Sequence, residues 1–458
     1  MKLIKYTFAV IFAFTLLFST VLAVDEGGVQ IKDYEIPNDS SLPILSDYAM
    51  LYDESEGRVL YKKGDESDGG EYIPPVLEPA STVKLMVGII ACEKWGHDLS
   101  RSVTVTKEML EGKEGLSMYI EPGEVWTLYD LICATVMYGA NDACLILVRH
   151  EGGTVSDFLQ LMNAKAASIG CTNTYYKNVT GLHADGAVTT LEDMIKIAAY
   201  ASDIPQLIKI TSLDKHTVAE NATTPQRTVL SRNHLVSKFR DTRYYTEGVT
   251  GLNFGSTDES GEILIVSSEY SGKKYFIALF GGYETEKDEN GNTRQTVFDD
   301  AVYLINYAKE AFGYTDLIDT GRIVAEIPVL YNITIDRVSL APSSSVSLFL
   351  PKDIDIEEDI KYSVIVYDTE LAAPVIEGQT AGEMVLYYLG EELCRIPLVT
   401  TSAVAQSKLL YTLDRIEEFV LSTKFFVFVG SVILLSVIYV TVNALLRGRR
   451  KRRRKRLR

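Results

Sequence analysis

A chain of 458 residues with 47% apolar and 23% charged side chains can bury a substantial core, which excludes a disordered chain and suggests two or three domains, not one small module. The net charge of −17 is uneven: residues 447–458 hold ten basic and no acidic groups, and Lys2 and Lys5 are the only charges before Val24. That leaves 33 basic against 62 acidic groups between them, a balance that argues against nucleic acid as a partner of the folded body.

Lys2 and Lys5 precede an uncharged apolar run of 17 residues, 6–22, and the small residues Val21 and Ala23 follow the V-x-A pattern of signal cleavage. Residues 1–23 are therefore expected to be a signal peptide, the alternative being an uncleaved anchor, and the body is exported in either case. Residues 24–43 are polar and aperiodic, a linker. Residues 48–52 and 58–61, joined by a turn ending at Gly57, predict a β-hairpin.

Pro79 and Ala80 lead into Ser81, after which Leu85, Met86, Ile89 and Ile90 recur at helical spacing, so Ser81 is expected at a helix start. Helical patterns dominate from there to about residue 201, for example Phe158, Leu161, Met162, Ala166 and Ile169 ahead of Gly170. Residues 262–268 and 274–280 predict a second hairpin and 293–312 a closing helix. Strands at both ends of one segment with helices between them imply an α+β domain, 44–312, whose sheet is built from both termini. Short alternating strands such as 323–329, 346–350 and 362–366 then mark a separate β domain, 313–404.

Leu409, Leu410, Leu413, Ile416, Phe419 and Val420 line one face of an amphipathic helix within 405–424. Residues 425–446 are uncharged and long enough to cross a hydrocarbon core of about 30 Å. The basic tail 447–458 follows directly, so positive-inside bias places it in the cytoplasm and the body outside, a single-pass membrane protein. The five cysteines lack C-x-x-C spacing and the five histidines lack H-x-x-x-H spacing, so no disulfide framework, metal site or cofactor is expected.

Ser81-Thr82-Val83-Lys84 is S-x-x-K at a helix start. Three residues place the lysine one turn along the same face, within reach of the serine oxygen, where a neutral amine can take the hydroxyl proton. Read alone, the same four residues fit a serine N-cap beside a solvent-facing lysine.

The surrounding segments decide between these readings. PASTVKLM (79–86), TLYDLICATVMYGANDA (127–143), FLQLMNAKAASIGCTNTYYKNVTGL (158–182), TTLEDM (189–194) and GLNFGSTDESG (251–261) are collinear with those of the low-molecular-weight penicillin-binding proteins. Residues 46–283 thus resemble these serine D-alanyl-D-alanine carboxypeptidases, and 374–404 resemble that family's C-terminal β domain. The resemblance implies a β-lactamase/D,D-peptidase-like fold, with an antiparallel sheet and a helical cluster, acting on peptidoglycan stem peptides through an acyl-enzyme. It implies Ser81 as nucleophile, Lys84 as base, Asn141 positioning the substrate amide, and the N–H groups of Ser81 and Ser256 as oxyanion hole. β-Lactams would be ligands of the same groove.

Two motifs depart from the family pattern. S-x-N appears as Gly139-Ala140-Asn141, losing the relay hydroxyl; Tyr138 is adjacent but out of register and reads as a core aromatic. K-T-G appears as Asn253-Phe254-Gly255, losing the lysine and threonine that grip the substrate carboxylate, a charge-assisted bond of about 1.5–3 kcal/mol. Gly255 and Ser256 keep the strand side of the oxyanion hole, and Asn253 occupies the lysine's subsite. Without the second lysine, Lys84 is expected to hold its proton more firmly. Weak carboxypeptidase activity is expected; the alternative is an inactive peptidoglycan-binding homologue using the same groove. A β-lactamase is disfavoured by the added β domain and membrane anchor.

Overall fold

The computed structural model describes residues 23–24, 30–31, 41–64, 76–239, 241–287 and 293–455. The expected signal peptide therefore lies outside the described residues, Ala23 excepted, as does most of the linker. The described residues divide into two compact units, one formed by 35–314 with 349–353 and the other by 1–34, 315–348 and 354–458.

The first unit is built on a five-stranded antiparallel sheet. Its strands are β1 (Tyr48–Asp53), β2 (Arg58–Lys63), β3 (Val249–Thr257), β4 (Gly261–Tyr270) and β5 (Lys273–Gly282), in the order β2-β1-β5-β4-β3. Both expected hairpins form, and the sheet joins the two ends of the segment through the pairing of Leu51 with Ile277. Residues Glu262 to Ser268 of β4 are all buried, and the continuous apolar runs 263–266 of β4 and 275–280 of β5 fit a sheet covered on both faces.

One covering layer is α7 (Thr296–Glu310), which buries Val297, Phe298, Ala301, Leu304 and Ile305. It is shorter than the expected 293–312 at both ends: Gln295 bridges to Glu284 before it, and Phe312–Ile318 continues as a strand after it. The helical layer comprises α1 (Val83–Trp95), α2 (Leu128–Cys133), α3 (Asn141–Arg149), α4 (Val155–Ile169), α5 (Leu191–Ser202) and α6 (Pro205–Thr211). Helix α1 is apolar on every side and buried almost throughout, as befits the central helix of a cluster. On α4 Phe158, Met162 and Ala166 are buried and Val155, Leu159 and Ile169 pack partly against the core, whereas Leu161 is 51% exposed and lies off that face. Gly170 ends α4 at φ +90°, the left-handed stop that favours glycine.

In the second unit Glu391–Thr400 pairs with Thr380–Tyr388 on one side and Arg337–Pro342 on the other. Ile360–Val366 and Ala325–Leu330 extend the sheet outward. Gln30–Ile31 also pairs with Cys394 and Arg395, so part of the stretch read as linker adds a short strand. Helix α8 (Lys408–Leu421) exposes Leu409, Leu413, Ile416, Phe419 and Val420, while Leu410 is half-buried. The Tyr331 hydroxyl donates to Asp414 Oδ2 at 2.6 Å, tying α8 to the β domain. Helix α9 (Thr423–Lys455) contains a 23-residue apolar stretch, Thr423–Leu445, with mean hydropathy 2.6, the one segment among the described residues long and apolar enough to span a membrane.

Candidate active site

Ser81 lies in a tight turn, Ala80–Thr82, that feeds α1. Its hydroxyl is not spent on capping, since neither the turn nor α1 has a side-chain cap; Thr82 instead gives its hydroxyl to Pro79 O. The bland reading of S-x-x-K, a serine N-cap with a solvated lysine, therefore does not hold. Lys84 is 1% exposed and its Nζ lies 3.5 Å from Ser81 Oγ, at the outer limit of a hydrogen bond. The same ammonium donates to Thr180 O.

The turn is held open by its neighbours. Ala80 sits at φ +41°, a strained position for a residue with a Cβ, costing about 1–3 kcal/mol. Gly181 backs onto it so closely that a Cβ there would meet Ala80 O at 2.1 Å. Asn178 fixes this loop by accepting from Gly181 N at 2.6 Å and donating to Leu182 O at 2.7 Å, which delivers the Thr180 carbonyl to Lys84. Neither Thr180 nor Gly181 was singled out from sequence, although the N-V-T-G-L run lay within a matching segment.

Burial is the main reason that the Lys84 pKa falls to about 8; the Arg232 charge pushes in the same direction, and Cys144 opposes it. Desolvation, with an arginine from another loop, thus disfavours the charged form even though strand β3 brings no second lysine.

Asn141 opens α3. Its neighbour Asp142, fully buried, accepts from Met118 N at 3.1 Å, Ile120 N at 2.9 Å and Ser117 Oγ at 2.6 Å, which pins the 116–120 loop over the helix start. Asn141 Nδ2 donates to Glu114 O at 2.7 Å, while Oδ1 is buried without a hydrogen-bond partner. A buried orphan acceptor of this kind is costly unless a ligand supplies the donor. Between α2 and α3 a wide π turn, Ala134–Tyr138, leads to Gly139 at φ +86°. Tyr138 is half-buried against the core, the aromatic role expected for it. Gly88 lets α1 approach this turn, since a Cβ there would lie 2.6 Å from Val136.

Strand β3 is the sheet edge beside Ser81. A Cβ on Gly255 would stand 2.7 Å from Ser81 Cβ and 3.4 Å from Ser81 N, so only glycine permits this approach. Ser256 follows and is exposed. Asn253 is 2% exposed and donates to Val136 O at 3.3 Å, which binds the strand to the π turn, while its Oδ1 is buried without a hydrogen-bond partner. Phe254 is 6% exposed and stacks on Phe298 with centroids 5.2 Å apart. Among the described residues no group of His, Cys, Asp and Glu is arranged to hold a metal ion.

Ser81 thus has an amine of lowered basicity and an edge strand beside it, while Asn141 holds a buried amide acceptor without a partner at the start of α3. The profile described as D-alanyl-D-alanine carboxypeptidase matches residues 37–282, more than half of the chain, and that of the penicillin-binding protein 5 C-terminal domain matches 312–406. The chain is 26% identical over 370 residues to D-alanyl-D-alanine carboxypeptidase DacF of Bacillus subtilis, covering 80% of this chain and 88% of that one. It is 24% identical over 367 residues to DacC of Escherichia coli, covering 78% and 84%. The fold resembles the crystal structure of DacD from Francisella tularensis with a TM-score of 0.54 at 19% identity, covering 85% of this chain and all of that one. Penicillin-binding protein 5 of Haemophilus influenzae gives 0.51 at 21%, covering 80% and 99%. The chain therefore belongs to the D-alanyl-D-alanine carboxypeptidase family, the low-molecular-weight penicillin-binding proteins.

Proposed function

We propose that the chain is a slow serine D,D-carboxypeptidase that removes the terminal D-alanine from peptidoglycan stem peptides. The observation that carries this reading is the buried Lys84 amine, lowered to a pKa of about 8 and set 3.5 Å from an uncapped serine hydroxyl. Ser81 Oγ attacks the carbonyl carbon of the penultimate D-alanine as its proton passes to Lys84 Nζ. The N–H groups of Ser81 and Ser256 stabilise the oxyanion, and Asn141 Oδ1 accepts from the substrate backbone. The peptide bond breaks as Lys84 returns the proton to the leaving amine, and water then hydrolyses the ester. β-Lactams would acylate the same oxygen. Gly139 and Phe254 mark the positions where the family hydroxyls are missing, and Asn253 acts by bracing the strand.

Full-length protein in detergent should release D-alanine from a D-Ala-D-Ala pentapeptide roughly 10- to 100-fold more slowly than a relative with intact S-x-N and K-T-G, the loss equivalent to one charge-assisted bond. The base must be neutral to act, so the rate should climb with pH along a limb centred near the Lys84 value of about 8. A limb centred below pH 7, or release that persists in Ser81→Ala, contradicts the assignment. Stoichiometric peptide binding with no release would favour the inactive homologue, for which the altered Gly139, Asn253 and Phe254 argue.

We assign the catalytic domain to 44–312 and the β domain to 313–404. Residues 1–23 export the body, 405–424 lie along the outer membrane surface, 425–446 cross it, and the tail 447–458 stays inside, since ten basic groups resist translocation. Protease added to wall-stripped cells should remove the body and leave a short fragment bearing the tail. Release of the whole protein by high salt, or loss of the tail to external protease, would refute this topology.

A further inference from the structure

The segment that carries Ser81 and the stretch 178–189 are stitched together at four points. Leu77 and Thr189 exchange backbone hydrogen bonds of 2.9 and 2.8 Å, Gly181 lies against Ala80, and Lys84 Nζ donates to Thr180 O. The fourth stitch joins two ionisable side chains. His183 Nδ1 lies 3.0 Å from Glu78 Oε1 and 3.1 Å from Oε2, and Ala184 N donates to Oε1 at 3.4 Å. Glu78 stands three residues before Ser81, and His183 two residues after Gly181. Two more carboxylates face the imidazole. Asp185 Oδ1 lies 3.7 Å from Nε2, and the Glu259 charge reaches it from the turn 258–260 between β3, which carries Gly255, and β4. The Glu78 hydrogen bond and charge, with Glu259 and Asp185 behind them, outweigh desolvation and hold the His183 pKa above its ordinary 6.5.

We propose that His183, as a cation, is a positioning residue that clasps the 178–185 loop to the nucleophile turn through Glu78, and that losing its proton slackens the site. This rests on the carboxypeptidase reading, in which Thr180 O holds Lys84 Nζ beside Ser81 Oγ. A charged imidazole makes a charge-assisted bond to Glu78, and a neutral one makes at most an ordinary bond. The pair is open to solvent, with the His183 side chain 50% and that of Glu78 18% exposed, so screening limits it to about two- to fivefold in rate. Its sign opposes that of the base. The clasp is complete below about 6.5 and is lost as pH rises through the raised His183 value, whereas Lys84 becomes competent as pH rises through about 8. The neutral fraction of such a base grows about tenfold between pH 7 and pH 9, so the clasp should cut the observed rise in rate to about two- to fivefold.

The test uses the full-length chain in detergent and follows acylation of Ser81 by benzylpenicillin, by intact mass against time, at pH 7 and pH 9. The parent rate should rise about two- to fivefold between them. His183→Gln and Glu78→Gln have no charged pair at either pH, so each should start about two- to fivefold below the parent at pH 7 and rise about tenfold. His183→Arg, a permanent cation whose paired donors suit a carboxylate, should also rise about tenfold and exceed both glutamine variants. A pH 9 to pH 7 ratio that is the same in the parent and the variants overturns the clasp. Thermal midpoints report folding, and should His183→Gln not fold, Glu78→Gln and His183→Arg carry the same comparison. Hydrogen exchange of peptides covering 178–185, compared with the parent at the same pH, provides a readout free of chemistry: His183→Gln should lose protection at pH 7 and match the parent at pH 9. Lost protection without any Ser81 adduct supports the clasp and overturns the carboxypeptidase reading. An adduct with unchanged ratios overturns the clasp alone, and neither adduct nor lost protection overturns both.

Discussion

Lys84→Met should reduce acylation of Ser81 by about 10²- to 10⁴-fold, the usual contribution of a positioned general base, while leaving the fold intact. The expectation for stability follows from burial. A lysine lowered from 10.5 to about 8 destabilises the folded state by ~3 kcal/mol when protonated. Methionine fills similar space without that burden, although Thr180 O then loses its donor at a cost of about 1–3 kcal/mol. The variant should therefore be as stable as the parent or slightly more so at pH 7. Because the folded pKa lies below the unfolded one, the unfolded chain binds the extra proton between about pH 8 and 10.5, and this lysine's contribution to stability rises with pH across that window. Denaturant midpoints for parent and variant should converge or cross as pH rises. A variant that unfolds readily at pH 7, or that acylates at the parental rate, would show that Lys84 is a structural residue.

Gly255→Ala should cost roughly 100-fold in acylation rate. The added Cβ would fall 2.7 Å from Ser81 Cβ, so either the strand edge or the nucleophile turn must retreat, and a displacement near 1 Å at a reacting group is worth about that much. The stability loss should stay within about 1–3 kcal/mol, the usual cost of overpacking one methyl group. Ser256→Ala, one residue further along the same edge, should react nearly as the parent does, because its side chain is exposed and the proposed mechanism uses only its backbone N–H. Rate constants for both variants, read beside their thermal melts, check the pair. Equal losses at 255 and 256 would mean that the edge strand is not what frames the serine.

The parts of this protein legible in its sequence are those governed by short spacings. Alternation, with the turn ending at Gly57 in the first case, places both hairpins, and i to i+3 spacing brings Lys84 to Ser81. The apolar face of α4 was read too broadly, because Leu161, three residues from Phe158, lies off the buried face and is exposed. The left-handed Ala80 left no trace in composition; the 178–182 loop lies directly against it, through Gly181. Thr180 and Arg232 stayed hidden for a related reason. Each reaches the site from a loop about 100 residues or more along the chain from Ser81, and only the closed sheet and the packed helices bring them in. Asn253 shows the reverse: its alignment with a substrate-contacting lysine was clear, but a shorter uncharged side chain finds its partner in Val136 O.

The central claim is that Ser81, activated by Lys84, is a working nucleophile despite the two altered motifs. Full-length protein incubated with benzylpenicillin and examined by intact mass and peptide mapping tests this most directly. A single penicilloyl adduct on the peptide containing Ser81, forming faster at pH 9 than at pH 7 and lost in Ser81→Ala, is the expected result. No adduct after prolonged incubation at pH 9, or an adduct on another residue that survives Ser81→Ala, would contradict the account.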